Sequence, residues 1–217
     1  MPASSCRLLV LAVAAWLTAC ESPGPRPGAN APLPPPPEAA ACARLAALAG
    51  LDLRLDLAKP QAADERRPAH CEVVARLRER TGADGQRYAI GMHLRLPIAW
   101  NGRFVFQGQG GTDGVLGDGD AQPGGGSPSA LSQGYATVTT DAGHTNRPGP
   151  LGSSLFGLDP QARIDFGHAA LDAVALASKR FIEAFYGAPA RYAYFIGCSN
   201  GGRHGMVASQ RFPQHCD

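Results

Sequence analysis

The sequence predicts an α/β protein with a parallel sheet in its last third, and three observations carry the prediction. A helical pattern follows Asp159-Pro160, an apolar run of strand character, Tyr192-Ala-Tyr-Phe-Ile196, comes next, and that run empties into Gly197-Cys-Ser-Asn-Gly201. G-x-S-x-G between a strand and a helix has the spacing of a nucleophile elbow, where the glycines remove Cβ atoms that would collide in the turn. Ser199 is the candidate nucleophile, and its hydroxyl needs a base to accept its proton. In such a fold an Asp or Glu and then a His follow the serine along the chain. Only 18 residues follow Ser199.

The chain opens with Arg7 and a ten-residue apolar run, 8–17, too short for the roughly 20 residues of a spanning helix. Residues 1–19 are expected to be an export signal. Leu17-Thr-Ala-Cys20 resembles the lipobox of bacterial lipoproteins, which makes Cys20 the expected lipidation site; the alternative is an ordinary signal with a chance cysteine. Residues 20–37 are rich in Pro, Gly and Ala and end in four prolines, a composition that cannot bury a core and is expected to act as a tether. The folded domain is expected over 38–217.

A formal net charge of +2 with scattered basic residues gives no patch for phosphate neutralisation, so nucleic acid is not an expected partner. The export context allows disulfides. Setting aside Cys6 and Cys20 leaves Cys42, Cys71, Cys198 and Cys216, of which Cys42 and Cys71 form the natural pair.

Residues 38–49 form a short Ala/Leu helix pattern stopped by Gly50. Two alternating stretches, 71–78 and 88–96, flank an Asp84-Gly85 turn and predict an antiparallel hairpin. Ile90, Met92, Leu94 and Leu96 share its core face, and His93 is expected on a solvent face with Gly91 and Arg95. Asn101-Gly102 turns into a short strand, 103–106, that leads to Gln107-Gly-Gln-Gly-Gly-Thr-Asp-Gly114. The loop exposes backbone amides, but no Gly-Lys-Ser/Thr follows, so it is not a nucleotide cradle. From there to Ser129 a surface loop is expected.

Tyr135-Ala-Thr-Val-Thr-Thr-Asp141 is the next strand. Asp141 and His144 precede Ser199, the wrong order for a triad, and are expected to hold loops or line a pocket; no further ligands recur at a metal-like spacing. Asp159 caps a helix with Pro160 in its first turn. Ile164, Leu171, Val174, Phe181 and Phe185 are its expected core residues, His168 is packed or partly exposed among them, and Gly187 ends the run.

An oxyanion formed at Ser199 needs two amide donors. One is expected from Asn200 and the other from the glycine loop, at Gly110 or Gly111. His204 and His215 lie on or beyond the elbow helix and Asp217 is the last residue, so none completes a triad. Cys198 and Cys216 are separated by a helix of about 12 residues, roughly 18 Å, beyond the about 7 Å a disulfide tolerates. Chain order and distance both predict the front part of a longer protein.

Gly197-Cys-Ser-Asn-Gly-Gly-Arg203 resembles the G-C-S-x-G-G-R elbow of the tannase and feruloyl esterase family of α/β-hydrolases. Tyr88-Ala-Ile-Gly91, Trp100-Asn-Gly-Arg-Phe104, the glycine loop, Thr140-Asp-Ala-Gly-His144, Asp159-Pro-Gln-Ala-Arg-Ile-Asp165 and Gln210-Arg-Phe-Pro213 resemble its landmarks in order, from about Cys42 to the end. The resemblance implies that Cys198 pairs with a later cysteine directly before the catalytic histidine. It also implies a lid domain, absent from these residues, that often binds calcium and selects the aromatic acyl group; no other cofactor is expected. Gln109 departs from the family's usual glycine and is expected to crowd the oxyanion loop, and Cys216 replaces a usual aromatic residue.

The function implied is hydrolysis of aromatic or phenolic esters, of feruloyl or galloyl type, by an exported, envelope-anchored enzyme, with residues 1–217 inactive alone and the sheet ending at the elbow strand. Two alternatives stay open: a serine hydrolase of other esters or polyesters, and a non-catalytic lipid-anchored binding protein.

Overall fold

A computed structural model of the chain describes residues 32–38, 40–50, 52–122 and 128–217. The expected signal at 1–19, Cys20 and the first part of the tether lie outside the described residues. The tether's prolines Pro34 to Pro37 are described; they line a small cleft with Ile98, Trp100 and Tyr186, so this end lies against the domain.

One six-stranded sheet runs in the order β1-β2-β3-β5-β4-β6. Its strands are β1 Leu53–Gln61, β2 His70–Thr81, β3 Arg87–Pro97, β4 Arg103–Gly108, β5 Ala136–Thr140 and β6 Tyr192–Gly197. The expected hairpin is β2 and β3, antiparallel with Val73 opposite Leu94 and Cys71 opposite Leu96. The parallel part comprises β5, β4 and β6, with β4 between the other two. The elbow strand β6 therefore lies at an edge of the sheet, as the sequence predicts.

Strand β1 escapes sequence reasoning. Leu53, Leu55 and Leu57 do alternate, but Ala58-Lys-Pro60 breaks the pattern, and the strand shifts register between Leu55 and Leu57 to pair with β2. A proline is tolerated there because β1 is an edge strand.

Period-two alternation sends Val73, Ala75, Ile90, Met92, Leu94, Phe104, Phe106 and Val138 to one face, where all are buried in one cluster. The helix over that face is α3, Ala170–Tyr186, with Leu171, Val174, Phe181, Ile182 and Phe185 inward. Gly187 ends it at φ +73°, a left-handed conformation that glycine adopts without a Cβ penalty. Tyr186 stacks on Trp100, ring centroids 4.0 Å apart, and donates from its hydroxyl to Pro97 O at 2.8 Å. Ile164 ends the short helix α2, Pro160–Ile164, and is 44 % exposed, not a core residue. A π-turn at Asp165–Ala169 joins α2 to α3 and rotates the apolar stripe past it.

The expected N-terminal helix shrinks to α1, Ala41–Arg44, followed by a 3-10 turn, with Ala41, Cys42 and Leu45 buried. Cys42 and Cys71 are disulfide-bonded with Cα atoms 5.5 Å apart, tying this turn to β2.

The other face of the hairpin is not a solvent face. The segment after the glycine loop folds back over it, burying Asp120 and Ala121, so it is not a plain surface loop. His93 bonds through Nδ1 with Gly117 O at 2.8 Å and through Nε2 with Glu72 Oε1 at 2.9 Å. Arg95 is 5 % exposed and pairs with Glu72 and Asp120. Alternation placed these polar residues on the correct face, but it could not show that a distant loop covers them.

Candidate active site

The final helix, α4, spans Asn200–Arg211 and begins directly after Ser199, which is exposed at φ +56°, ψ −120° at the end of β6. A non-glycine residue in this left-handed region is uncommon and costs about 1–3 kcal/mol. The flanking glycines make the turn possible. A Cβ on Gly197 would overlap the Gly201 carbonyl, a Cβ on Gly201 would overlap Gly108 O, and a Cβ on Gly108 would come within 2.8 Å of Gly201 Cα. The ends of β4 and β6 and the start of α4 therefore meet backbone to backbone.

This contact brings the glycine loop beside the elbow. Gly108, Gln109, Gly110, Gly197, Cys198 and Ser199 line a common cleft of about 410 Å³. Gly110 faces it; the adjacent Gly111, at φ +61°, is exposed but does not line it. Asn200 is the first residue of α4, so its N–H has no acceptor within the helix and lies beside Ser199. Gln109 lines the same cleft, and its amide donates to Thr139 Oγ1 at 2.5 Å, which holds the side chain on β5.

The histidines and acids near Ser199 in sequence are committed elsewhere. His204 is fully buried, with Nε2 2.6 Å from Arg203 Nη2 and 3.4 Å from Asp113 Oδ2. Burial lowers its pKa to about 4, so the imidazole is neutral and Nε2 accepts from Arg203. His215 bonds to Asp172 at 2.8 Å, and Asp217 accepts from Ala193 N through Oδ2 at 2.8 Å. No disulfide joins Cys198 and Cys216.

Asp141 behaves as a loop holder, and His144 is packed in the interior. Asp141 Oδ1 accepts from Gly91 N and Gly143 N, each at 2.9 Å, and burial raises its pKa to about 6. His144 is buried against Phe156, ring centroids 3.8 Å apart, and burial lowers its pKa to about 4. Among the described residues, no three His, Cys, Asp or Glu side chains form a metal-binding group.

Sequence reasoning missed Asp113. It sits in the glycine loop at φ +55°, and its Oδ2 accepts from Asn200 Nδ2 at 2.5 Å. Its one visible signal is a carboxylate inside an otherwise Gly/Thr run.

The sequence profile described as tannase and feruloyl esterase matches residues 71–217. A mono(2-hydroxyethyl) terephthalate hydrolase of Piscinibacter sakaiensis is 50 % identical over 155 residues, covering 69 % of this chain and 26 % of the relative. A probable feruloyl esterase of Arthroderma benhamiae is 38 % identical over 135 residues, covering 60 % and 24 %. The crystal structure of feruloyl esterase B from Aspergillus oryzae superposes with a TM-score of 0.66 at 24 % identity, over 82 % of this chain and 36 % of that one. The chain thus spans about a quarter of the length of these curated relatives.

Proposed function

Because the chain belongs to the tannase and feruloyl esterase family, we propose that it carries the nucleophile and oxyanion hole of a serine-dependent carboxylic ester hydrolase acting on aromatic esters. The observation that carries this reading is Ser199 itself, exposed on a left-handed turn between β6 and α4 in a cleft shared with the glycine loop.

In the reaction, Ser199 Oγ attacks the ester carbonyl and gives its proton to a histidine base. The carbonyl oxygen becomes an oxyanion, met by the Asn200 N–H and by an N–H of Gly110 or Gly111. Collapse expels the alcohol, protonated by the histidine, and leaves an acyl-serine that water hydrolyses by the same route in reverse. None of the six histidines lines the cleft with Ser199, so on this reading the base and its acid partner are supplied by other residues of the full-length protein, and Cys198 is available to brace them.

The terephthalate-ester relative keeps terephthaloyl monoesters beside feruloyl and galloyl esters as substrates. The Cys42–Cys71 disulfide supports export to an oxidising compartment, in keeping with a leader at 1–19 and lipid at Cys20. The test is hydrolysis of a feruloyl ester, a galloyl ester, mono(2-hydroxyethyl) terephthalate and an aliphatic ester by the full-length protein and its Ser199→Ala variant. Preference for one aromatic ester, lost in the variant together with labelling by a serine-reactive phosphonate, supports the reading. Hydrolysis that survives the substitution refutes it.

A further inference from the structure

We infer that Asp113 is a positioning residue for the oxyanion hole, fixing Asn200 so that its N–H and those of the glycine loop stay in one frame; the inference rests on Ser199 being the nucleophile. An oxyanion hole works only when its donors lie about 2.7–3.1 Å from the place where the charge develops. Here the two donors belong to separate elements, the 108–114 loop and the first residue of α4.

Asp113 is built into the loop. Its N–H donates to Gly110 O at 3.2 Å, closing the turn that contains Gly110 and Gly111. Its carbonyl accepts from Asn146 Nδ2 at 2.9 Å, and the next residue, Gly114, donates to Asp141 O at 3.1 Å, so the loop's far end is anchored behind β5. From this anchored position the buried carboxylate crosses to Asn200 Nδ2 at 2.5 Å.

The other end of the Asn200 side chain is also held. Its Oδ1 accepts from Arg203 Nε at 2.7 Å, and Arg203 donates onward to Phe166 O and Gly167 O. The backbone contact of Gly108 with Gly201 fixes the loop to the elbow at one point, and Asp113 with Asn200 fixes it at a second. Two attachments remove the rotation that one would leave. Burial raises the pKa of Asp113 to about 6 against the opposing effects of Asn200 and Arg203, so the carboxylate is ionised at neutral pH.

The test exchanges donor and acceptor in the full-length protein. Asn200→Asp sets two carboxylates against each other at a first-turn position where a carboxylate ordinarily stabilises the helix. It is expected to lower kcat on the preferred aromatic ester about 10- to 100-fold with KM within about threefold, on the scale of losing or misplacing one donor. The deficit relative to wild type should shrink as pH falls toward 6, because one shared proton restores a bond between two carboxyl groups. Adding Asp113→Asn should recover at least about tenfold, since the bond reforms with its direction reversed. All three proteins are near-isosteric, and thermal unfolding establishes that each is folded.

Full kcat in Asn200→Asp, or no recovery in the double variant, overturns the inference while leaving Ser199 in place. A Ser199→Ala protein that still hydrolyses the ester overturns both.

Discussion

Asp159 binds the Arg80 guanidinium at 2.6 Å across 79 residues of sequence. The same carboxylate accepts from Ala162 N at 2.7 Å, capping α2, and from Ala83 N at 2.8 Å in the turn between β2 and β3. Two stretches far apart in the chain, 80–83 and 159–162, converge on one side chain that is 2 % exposed. Asp159→Ala should therefore destabilise the protein by about 2–4 kcal/mol, more than the roughly 1 kcal/mol of a lost cap alone. Urea denaturation at pH 7 measures it, and a loss below about 1 kcal/mol would show that the cap alone matters.

The same contact should be visible in acid. Arg80 first, then the two backbone amides, hold the Asp159 pKa down to about 2. A depressed carboxylate contributes stability that is complete above its unfolded value near 3.8 and is lost as pH falls toward 2. Asp159→Asn should flatten the stability curve in that window when unfolding is followed between pH 2 and 5.

Asp141 works in the opposite direction. Its pKa, raised by burial to about 6, makes the folded state hold a proton that the unfolded state has lost, so its contribution falls as pH rises from about 4 to 6. His144 and His204, lowered to about 4, oppose it, because the unfolded state gains their protons first as pH falls. Asp141→Asn keeps an acceptor for Gly91 and Gly143 and removes only the carboxylate's slope. Its stability relative to wild type should rise by up to about 3 kcal/mol between pH 4 and 6.5, a difference that denaturant melts at several pH values will resolve.

Gly201 and Gly202 are neighbours in α4 with opposite expected responses to alanine. In a helix interior, Gly→Ala ordinarily stabilises by about 1 kcal/mol. At Gly202 a new Cβ meets its nearest atom, Gly197 O, at 3.7 Å, so the gain should appear. At Gly201 it would strike the Gly108 carbonyl, and a loss of about 1–3 kcal/mol should appear instead. Slower phosphonate labelling of Ser199 should accompany only Gly201→Ala.

The Cys42–Cys71 bond closes a separation of 29 residues between the N-terminal turn and the sheet. In the chain-entropy picture, removing it costs about 3–4 kcal/mol. Replacing both cysteines with serine should lower the denaturation midpoint accordingly, and reduction of the wild-type protein should reproduce the shift.

The features legible in sequence were those set by short-range pattern. Period two gave the hairpin, Asp159-Pro160 gave the helix start, and G-x-S-x-G gave a turn that the chain does adopt at Ser199. The illegible ones depended on what folds over what. His93 looks like a solvent-facing residue until the loop carrying Gly117 covers it, and Asp113 looks like loop filler until α4 brings Asn200 against it. Ile164 fits the helical period of α3, but a π-turn between them shifts the phase and turns it outward.

The meeting of Gly108 and Gly201 has a bearing on motion as well as shape. Two backbones in such close contact tie the position of the glycine loop to that of the Ser199 turn. If the amides are to greet a charge that exists only briefly, their dipoles are already aimed when the substrate arrives, and little reorientation remains to slow the step. On the proposed reading, the cost of the left-handed turn is met once, during folding, and not in each turnover.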